Sequence, residues 1–251
     1  MLLPNSSEAC HEVHQQYRRL CTDTPEVSVV IPAYNEESNI VKTLLSLSSS
    51  QTQRPVEIIV VDNNSQDRTA ELVQACGVRY VLETEQGITP ARNRGLREAR
   101  GTYVLNADAD TLYPAHWIDA MVSPLADGNR AALTYGRFSF IPVGNTGRGT
   151  YFFYEYITDA VRAFHRYFRE EAVNVYGFNS GFRRVQGMEV SGFDHPPGTN
   201  EDGWLALKLR NKGFGKLHYA KQALVWTTDR RLQIDGGFRK ALGKRIKRFF
   251  S

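Results

Sequence analysis

Cysteine is scarce in this 251-residue chain: Cys10, Cys21 and Cys76 are scattered and include no C-x-x-C pair. An odd, dispersed set argues against a disulfide framework and against a thiolate zinc site, so the three are read as reduced structural residues. Long apolar runs are missing too. No stretch approaches the ~20 apolar residues of a bilayer-spanning helix. The opening MLLPNSSEACHEVHQQYRRL has neither the positive start nor the apolar core of a signal peptide. These absences lead to the expectation of a cytoplasmic protein. No G-x-x-x-x-G-K-[ST] occurs and no G-x-G-x-x-G follows the first strand pattern, which excludes P-loop ATPases and dinucleotide readers. Outside the tail, an excess of positive charge is also lacking. The net charge is +4, yet Arg239, Lys240, Lys244, Arg245, Lys247 and Arg248 exceed it by themselves, with no acid among them. The rest of the chain is slightly negative, so it is not a nucleic-acid binder by charge.

What is present is a repeated β-loop-α pattern. Val27 to Ile31 is a near-continuous β-branched run, stopped by Pro32, as in a strand covered on both faces. Ile40, Val41, Leu44, Leu45 and Leu47 keep helical spacing after Ser38, a candidate cap. Glu57 to Val61 is a second strand, followed by a helix over Thr69 to Ala75 that Gly77 closes. Val78 to Leu82 reads as a third strand. Thr89 and Pro90 open a helix over Ala91 to Arg100, closed by Gly101, and Tyr103 to Leu105 is a fourth strand. The alternation predicts a doubly wound, mostly parallel α/β sheet with helices on both faces, whose ligands sit outside the carboxyl ends of the strands.

Residues 1–24 show no clear period and are read as an N-terminal arm. From about 130 the texture turns to Tyr-, Phe- and Gly-rich segments, and Phe152, Tyr156, Phe164 and Phe168 are read as a core-facing stripe rather than an acceptor surface. Asn200-Glu201-Asp202 opens a further helix that Gly213 ends, and Val225 to Arg231 is a last strand running into a charged turn. In the tail, 232–251, Phe238, Leu242, Ile246 and Phe249 share one helical face opposite the bases. This basic amphipathic helix suits either peripheral contact with the inner face of a membrane or packing on the body.

Three strand ends are acidic: Glu36/Glu37, Asp62 and Asp108/Asp110. Asp108 and Asp110 flank the small Ala109, so in extended chain both carboxylates leave one face, close enough to share a divalent cation. An acidic sheet edge repels phosphate unless such a cation intervenes. Mg²⁺ or Mn²⁺ held by one or two carboxylates completes its shell with substrate phosphate oxygens and water. The pattern points to a nucleotide-diphosphate donor with a metal-supported leaving group.

Five segments together, VSVVIPAYNEE (27–37), IVVDNNSQDRT (59–69), ARNRG (91–95), DADT (108–111) and NED (200–202), resemble the family 2 glycosyltransferases with a GT-A fold. The resemblance implies a GT-A-like domain over 25–231, with a donor half to about 115 and an acceptor half beyond. It implies inverting transfer of one hexosyl-type unit from a UDP- or GDP-sugar to a sugar, glycolipid or polyprenyl-phosphate acceptor. It assigns Pro32, Ala33, Tyr34, Glu36 and Asp62 to the donor's base and ribose, and sets Arg92 and Asn93 beside the donor. Asp108 and Asp110 take the D-x-D metal and diphosphate role, with Asp108 alone as an alternative because Asn106 stands where many relatives carry an acid. Asp202, beside Glu201, takes the place of the general base. A helix's first turn favours the charged carboxylate, which opposes that role unless burial or Glu201 raises the pKa.

Some relatives carry a metal-binding histidine near the last strand, where this chain reads Trp226-Thr227-Thr228-Asp229; Asp229 is the candidate third ligand and His218 a surface or packing residue. Arg230 and Arg231 are candidates to hold the diphosphate or to form surface ion pairs. Two rivals stand beside this reading. A sugar-phosphate nucleotidyltransferase would need a Gly-rich, arginine-containing loop where Pro32 to Glu36 stands, and a catalytically silent nucleotide-sugar-binding protein would not need Asp202.

Overall fold

The computed structural model describes residues 6–128, 130–141 and 148–228, and no side-chain placement for residues 6, 148 and 150–154. Helix α1 (Ser6–Leu20) leads into the alternating half: β1 (Val27–Ala33), α2 (Ile40–Ser48), β2 (Val56–Asp62), α3 (Thr69–Ala75), β3 (Arg79–Leu82), α4 (Ile88–Glu98) and β4 (Tyr103–Asn106). The second half runs β5 (Thr111–Leu112), α5 (Trp117–Ala126), β6 (Ala131–Ile141), α6 (Arg148–Phe168), two 3-10 turns (Glu171–Asn174 and Gly177–Asn179), β7 (Ser180–Arg183), α7 (Arg184–Glu189), α8 (Glu201–Asn211) and β8 (Lys216–Thr228).

All eight strands join one sheet in the order β3-β2-β1-β4-β7-β6-β8-β5. Pairing is parallel for β1–β2, β2–β3, β1–β4 and β6–β8 and antiparallel for β4–β7, β6–β7 and β5–β8, so the mostly parallel sheet expected from the sequence is found. Each face carries its own apolar core. Val29 and Ile31 of β1 pack with α1, α2, α3 and α5, whereas Val30 turns to the opposite side with α4 and α8, as a side-chain period of two requires.

Several local expectations are corrected. Residues 6–20 are a helix rather than an arm: Cys10, Val13, Tyr17 and Leu20 enter the core, and the Tyr17 hydroxyl accepts the Ile58 N–H at 2.9 Å, below the point where β3 begins. Pro32 does not stop β1 but lies inside it. Even-numbered residues of β1 bond toward β4, and β4's pairing ends at Val30, so the missing proline N–H has no ladder partner to lose. Asn39 rather than Ser38 precedes α2, Gly87 rather than Thr89 precedes α4, and α4 ends at Glu98. Gly77 does close α3: it adopts φ +67°, its N–H bonds Gln74 O, and Val78 N–H bonds Val73 O, the paired bonds of a Schellman motif.

The stripe on α6 is inverted relative to expectation. Tyr156 and Phe168 are each 74% exposed and Phe164 is half-buried, while the side chain of Phe152 lies outside the described set. The inward face is polar instead: Thr158 and Arg162 are buried, Glu155 accepts the Phe140 N–H at 2.8 Å, and the Arg162 guanidinium lies 4.1 Å from the Phe138 ring centre. The last strand starts at Lys216, well before Val225, and His218 is exposed. Asp229, Arg230, Arg231 and the tail lie outside the described residues. Among the described residues no helix is long and apolar enough to cross a membrane.

Candidate active site

The sheet's topological switch point lies at β1, where the chain has filled positions on one side (β2, β3) before returning to the other (β4). The crevice opens beyond the carboxyl ends of β1 and β4. After β4 the Ala107 N–H still donates to Val30 O, and then the chain turns away at Asp108. A cavity of about 290 Å³ occupies this place. Pro32, Ala33, Tyr34 and Glu36 form one wall, Asp108, Ala109 and Asp110 another, and Asn63, Gln86, Gly87, Ile88 and Ala91 the rest. Three carboxylates, Glu36, Asp108 and Asp110, thus line a partly apolar slot that Tyr34 and Ile88 border with exposed side chains.

Each acid has a fixed address. Asp108 Oδ1 accepts from Arg92 Nη2 at 3.1 Å, and its N–H donates to the Tyr113 hydroxyl at 2.9 Å. That hydroxyl donates in turn to Phe178 O at 2.9 Å. Burial, with Asp108 nearby, pushes the Tyr113 pKa well up, so Tyr113 stays a neutral strut. Asp110 Oδ2 accepts from the Thr228 hydroxyl at 2.6 Å, which ties the turn to the end of β8. Asn106 points elsewhere: it is buried in β4 and donates to Ser180 Oγ at 3.0 Å. Asp108 and Asp110 therefore suit one divalent cation by chemistry, two hard carboxylates in one wall, leaving the rest of its shell to water and phosphate oxygens. Among the described residues no group of three or more His, Cys, Asp or Glu side chains is arranged to hold a metal.

Arg92 joins this turn to a distant one. Its side chain, from the buried face of α4, is 3% exposed. Nη2 meets Asp108, Nη1 donates to Gly177 O at 3.2 Å, and Nε lies 3.6 Å from Asp202 Oδ1 and 4.0 Å from Glu201 Oε1. Burial alone would lower the Arg92 pKa, but Asp202, Asp108 and Glu201 outweigh it and raise it. Asp202 sits in the first turn of α8, behind Asn200, whose side chain caps Gly203 N–H at 2.8 Å as the sequence predicts. Its Oδ2 accepts the Gly177 N–H at 2.6 Å, while Oδ1 is buried without a hydrogen bond. Burial pushes its pKa up to about 7 against the pull of Arg92, and Glu201 and Asp108 push the same way. Burial thus outweighs the helix terminus, which alone favours the charged carboxylate.

Gly177 was not foreseen from the sequence. It presents its N–H to Asp202 and its carbonyl to Arg92, and a Cβ there would collide with the guanidinium and stand 2.5 Å from Asp202 Oδ1. Only glycine permits so close an approach. Asn63, Gln86 and Gly87 were missed as well. The Asn63 amide donates to Glu83 O and Glu85 O at 3.1 and 2.6 Å and accepts Gly87 N–H at 2.7 Å, which shapes the loop beside the cavity. Three expected donor contacts, Asp62, Arg92 and Asn93, fall outside the cavity lining. Asp62 spends both oxygens within the protein, on Ser65 N–H and the Tyr80 hydroxyl, each at 3.0 Å. Asn93 bonds the segment before α8, with Phe193 N–H donating to Oδ1 at 2.8 Å and Nδ2 donating to Asp194 at 2.7 Å.

With this geometry in hand, the family model "Glycosyl transferase family 2" matches residues 28–186, from β1 into α7. The chain belongs to that family. The matched segment holds the cavity and Arg92 but stops before Asp202. Glycosyltransferase AglE of Haloferax volcanii is 33% identical over 135 residues, covering 51% of this chain and 44% of that protein. A dolichol-phosphate mannosyltransferase of Pyrococcus furiosus is 32% identical over 113 residues, 43% of this chain and 32% of that one. The chain thus matches less than half the length of these curated relatives. Among solved structures, the mannosyltransferase PcManGT from Pyrobaculum calidifontis, in complex with GDP-Man and Mn²⁺, superposes with a TM-score of 0.62 over 88% of this chain and 65% of that one at 23% identity. That likeness establishes the GT-A type of fold.

Proposed function

We propose that this family 2 member is an inverting glycosyltransferase that moves one hexosyl-type unit from a UDP- or GDP-sugar to an acceptor hydroxyl. The observation that carries the reading is Arg92, whose single guanidinium meets Asp108 of the cavity wall and Asp202 of α8. It gathers a donor-side carboxylate and a proton acceptor into one buried cluster.

In this reading Pro32 to Glu36 and Asn63 line the place of the nucleoside, and Asp108 and Asp110 would hold Mn²⁺ or Mg²⁺ against the diphosphate. The cation supplies neutralisation of the charge that grows on the nucleotide diphosphate as the sugar leaves. PcManGT, crystallised with GDP-Man and Mn²⁺, supports that choice of donor and metal class. Asp202 Oδ1 accepts the acceptor's proton. Single displacement with inversion requires the hydroxyl to be deprotonated on the face opposite the leaving group, and a carboxylate poised near neutrality is suited to it. Arg92 keeps Asp202 charged enough to act and holds Asp108 toward the donor.

A second reading places a polyprenyl phosphate in the acceptor role. It is supported by the name of the dolichol-phosphate relative and by the outward face of α6, where Tyr156, Tyr167 and Phe168 are each more than 70% exposed. A phosphate oxygen is already ionised and needs no base, so Asp202 weighs toward a hydroxyl, of a sugar or a glycolipid. Incubation with a panel of UDP- and GDP-sugars and Mn²⁺, with hydroxyl and polyprenyl-phosphate acceptors in parallel, tests both by nucleotide release. Release stimulated by a hydroxyl acceptor and lost on chelation is expected; no release with any donor would overturn the proposal.

A further inference from the structure

The turn between α7 and α8 carries an uncommon backbone. Ser191 at φ +59° and Gly192 at φ +51° are consecutive left-handed residues, a strained state for a serine. Such a turn persists only where its surroundings over-determine it, and here two side chains do so. Lys208, in the last turn of α8, gathers the carbonyls of Gly192 and Asp194 at 2.6 and 2.9 Å and that of Ser191 at 3.5 Å. Asn93, on α4 directly after Arg92, takes the Phe193 N–H on Oδ1 and gives Nδ2 to Asp194 Oδ1. Between these anchors the Phe193 ring is buried to 1% exposure, and Arg92 Cζ lies 5.7 Å from its centre.

We infer that Asn93 is a positioning residue: by clamping the backbone of Phe193 and Asp194 it seats the Phe193 ring behind the Arg92 guanidinium, and so fixes the guanidinium between Asp108 and Asp202. Adjacent helical residues point about 100° apart, so Arg92 and Asn93 cannot share a ligand easily. They share a neighbour instead, one using its ring and the other its backbone. Arg92 has only one short carboxylate bond, at 3.1 Å, and its contact with Asp202 is long at 3.6 Å. A guanidinium held so loosely by its anions is steered by what packs against its face. Asn93 thereby acts on the site without lining the donor cavity. The inference rests on the catalytic reading for its effect on turnover, but not for its geometry.

A reciprocal exchange tests it. Asn93→Asp keeps the acceptor for Phe193 N–H but sets two carboxylates against each other at Asp194. The double variant Asn93→Asp with Asp194→Asn returns the bond with donor and acceptor reversed. Two quantities are read: turnover of nucleotide sugar, and the ring-current-shifted NMR resonance of the Arg92 Nε–H, assigned by its loss in Arg92→Lys. The single variant should lose between about ten- and a hundredfold in turnover and shift the resonance, with its melting temperature unchanged, and the double variant should restore both. If the wild type turns over no donor, the catalytic proposal fails and the resonance alone decides the clamp. If Asn93→Asp does not fold, the double variant decides by carrying the wild-type resonance or not. An unmoved resonance in the folded single variant, or a double variant that fails to restore it, overturns the inference.

Discussion

Asp108 and Asp202 reach one arginine from two very different places. Asp108 leaves a strand-end turn, lines the cavity beside Asp110, and keeps 15% of its side chain exposed. Asp202 belongs to a helix's first turn, lies outside the cavity lining, and keeps 7% exposed, its Oδ1 without a hydrogen bond and 3.6 Å from Arg92 Nε. In the proposed reaction the same side chain would serve two kinds of chemistry through its surroundings. Access to a slot shared with a second carboxylate suits a cation and a diphosphate. Burial, which holds a pKa near 7, suits a group that takes up a proton. Arg92 couples the two.

The comparison breaks most sharply by substitution. Asp202→Asn should reduce transfer to a hydroxyl by about 10²- to 10⁴-fold while Mn²⁺-dependent nucleotide binding persists, and Asp108→Asn should weaken that binding first. Equal loss of binding in both variants would erase the division. Gly177→Ala comes next. Its Cβ forces Arg92 or Asp202 to move, so turnover should fall by about ten- to a hundredfold with donor affinity little changed, measured as a split between kcat and KM. The smallest effect sharpens the comparison through pH. An acid whose proton must be absent is inactive below its pKa, so kcat/KM should fall about tenfold per pH unit below neutrality and level above it. Glu201→Gln removes a charge that raises the Asp202 pKa, so the acid limb should move to lower pH by less than about one unit. A limb unmoved, or moved upward, would contradict that electrostatic role.

How much of this is written in the sequence depends on the region. From Val27 to Asn106 β1 and β2 are β-branched runs, α2 keeps helical apolar spacing and Gly77 closes α3, so the parallel half and the Asp108–Asp110 turn are legible even though the expected caps Ser38 and Thr89 are not used. The antiparallel half is not. β6 and β7 pair through residues some fifty positions apart, and no periodicity in Ala131 to Ile141 announces its partner. Helix α1 hid because its inward residues, Cys10, Val13, Tyr17 and Leu20, include few strong apolar markers among many polar ones. Asp202 was legible through its motif, whereas Gly177 was not, because a glycine selected by the approach of two side chains distant in sequence leaves no local signal. Asp62 shows the reverse case. It stands at the correct strand end, yet Ser65 and Tyr80 occupy its oxygens and its neighbour Asn63 faces the cavity.

The central claim is that donor binding and proton removal are carried by separate carboxylates joined by Arg92. Calorimetric titration of the UDP- or GDP-sugar used by the wild type, with Mn²⁺, into Asp202→Asn tests it most directly. The account predicts a dissociation constant within a few-fold of wild type in a variant that no longer transfers sugar to a hydroxyl. Donor binding abolished in that variant, or transfer retained at the wild-type rate, would contradict it.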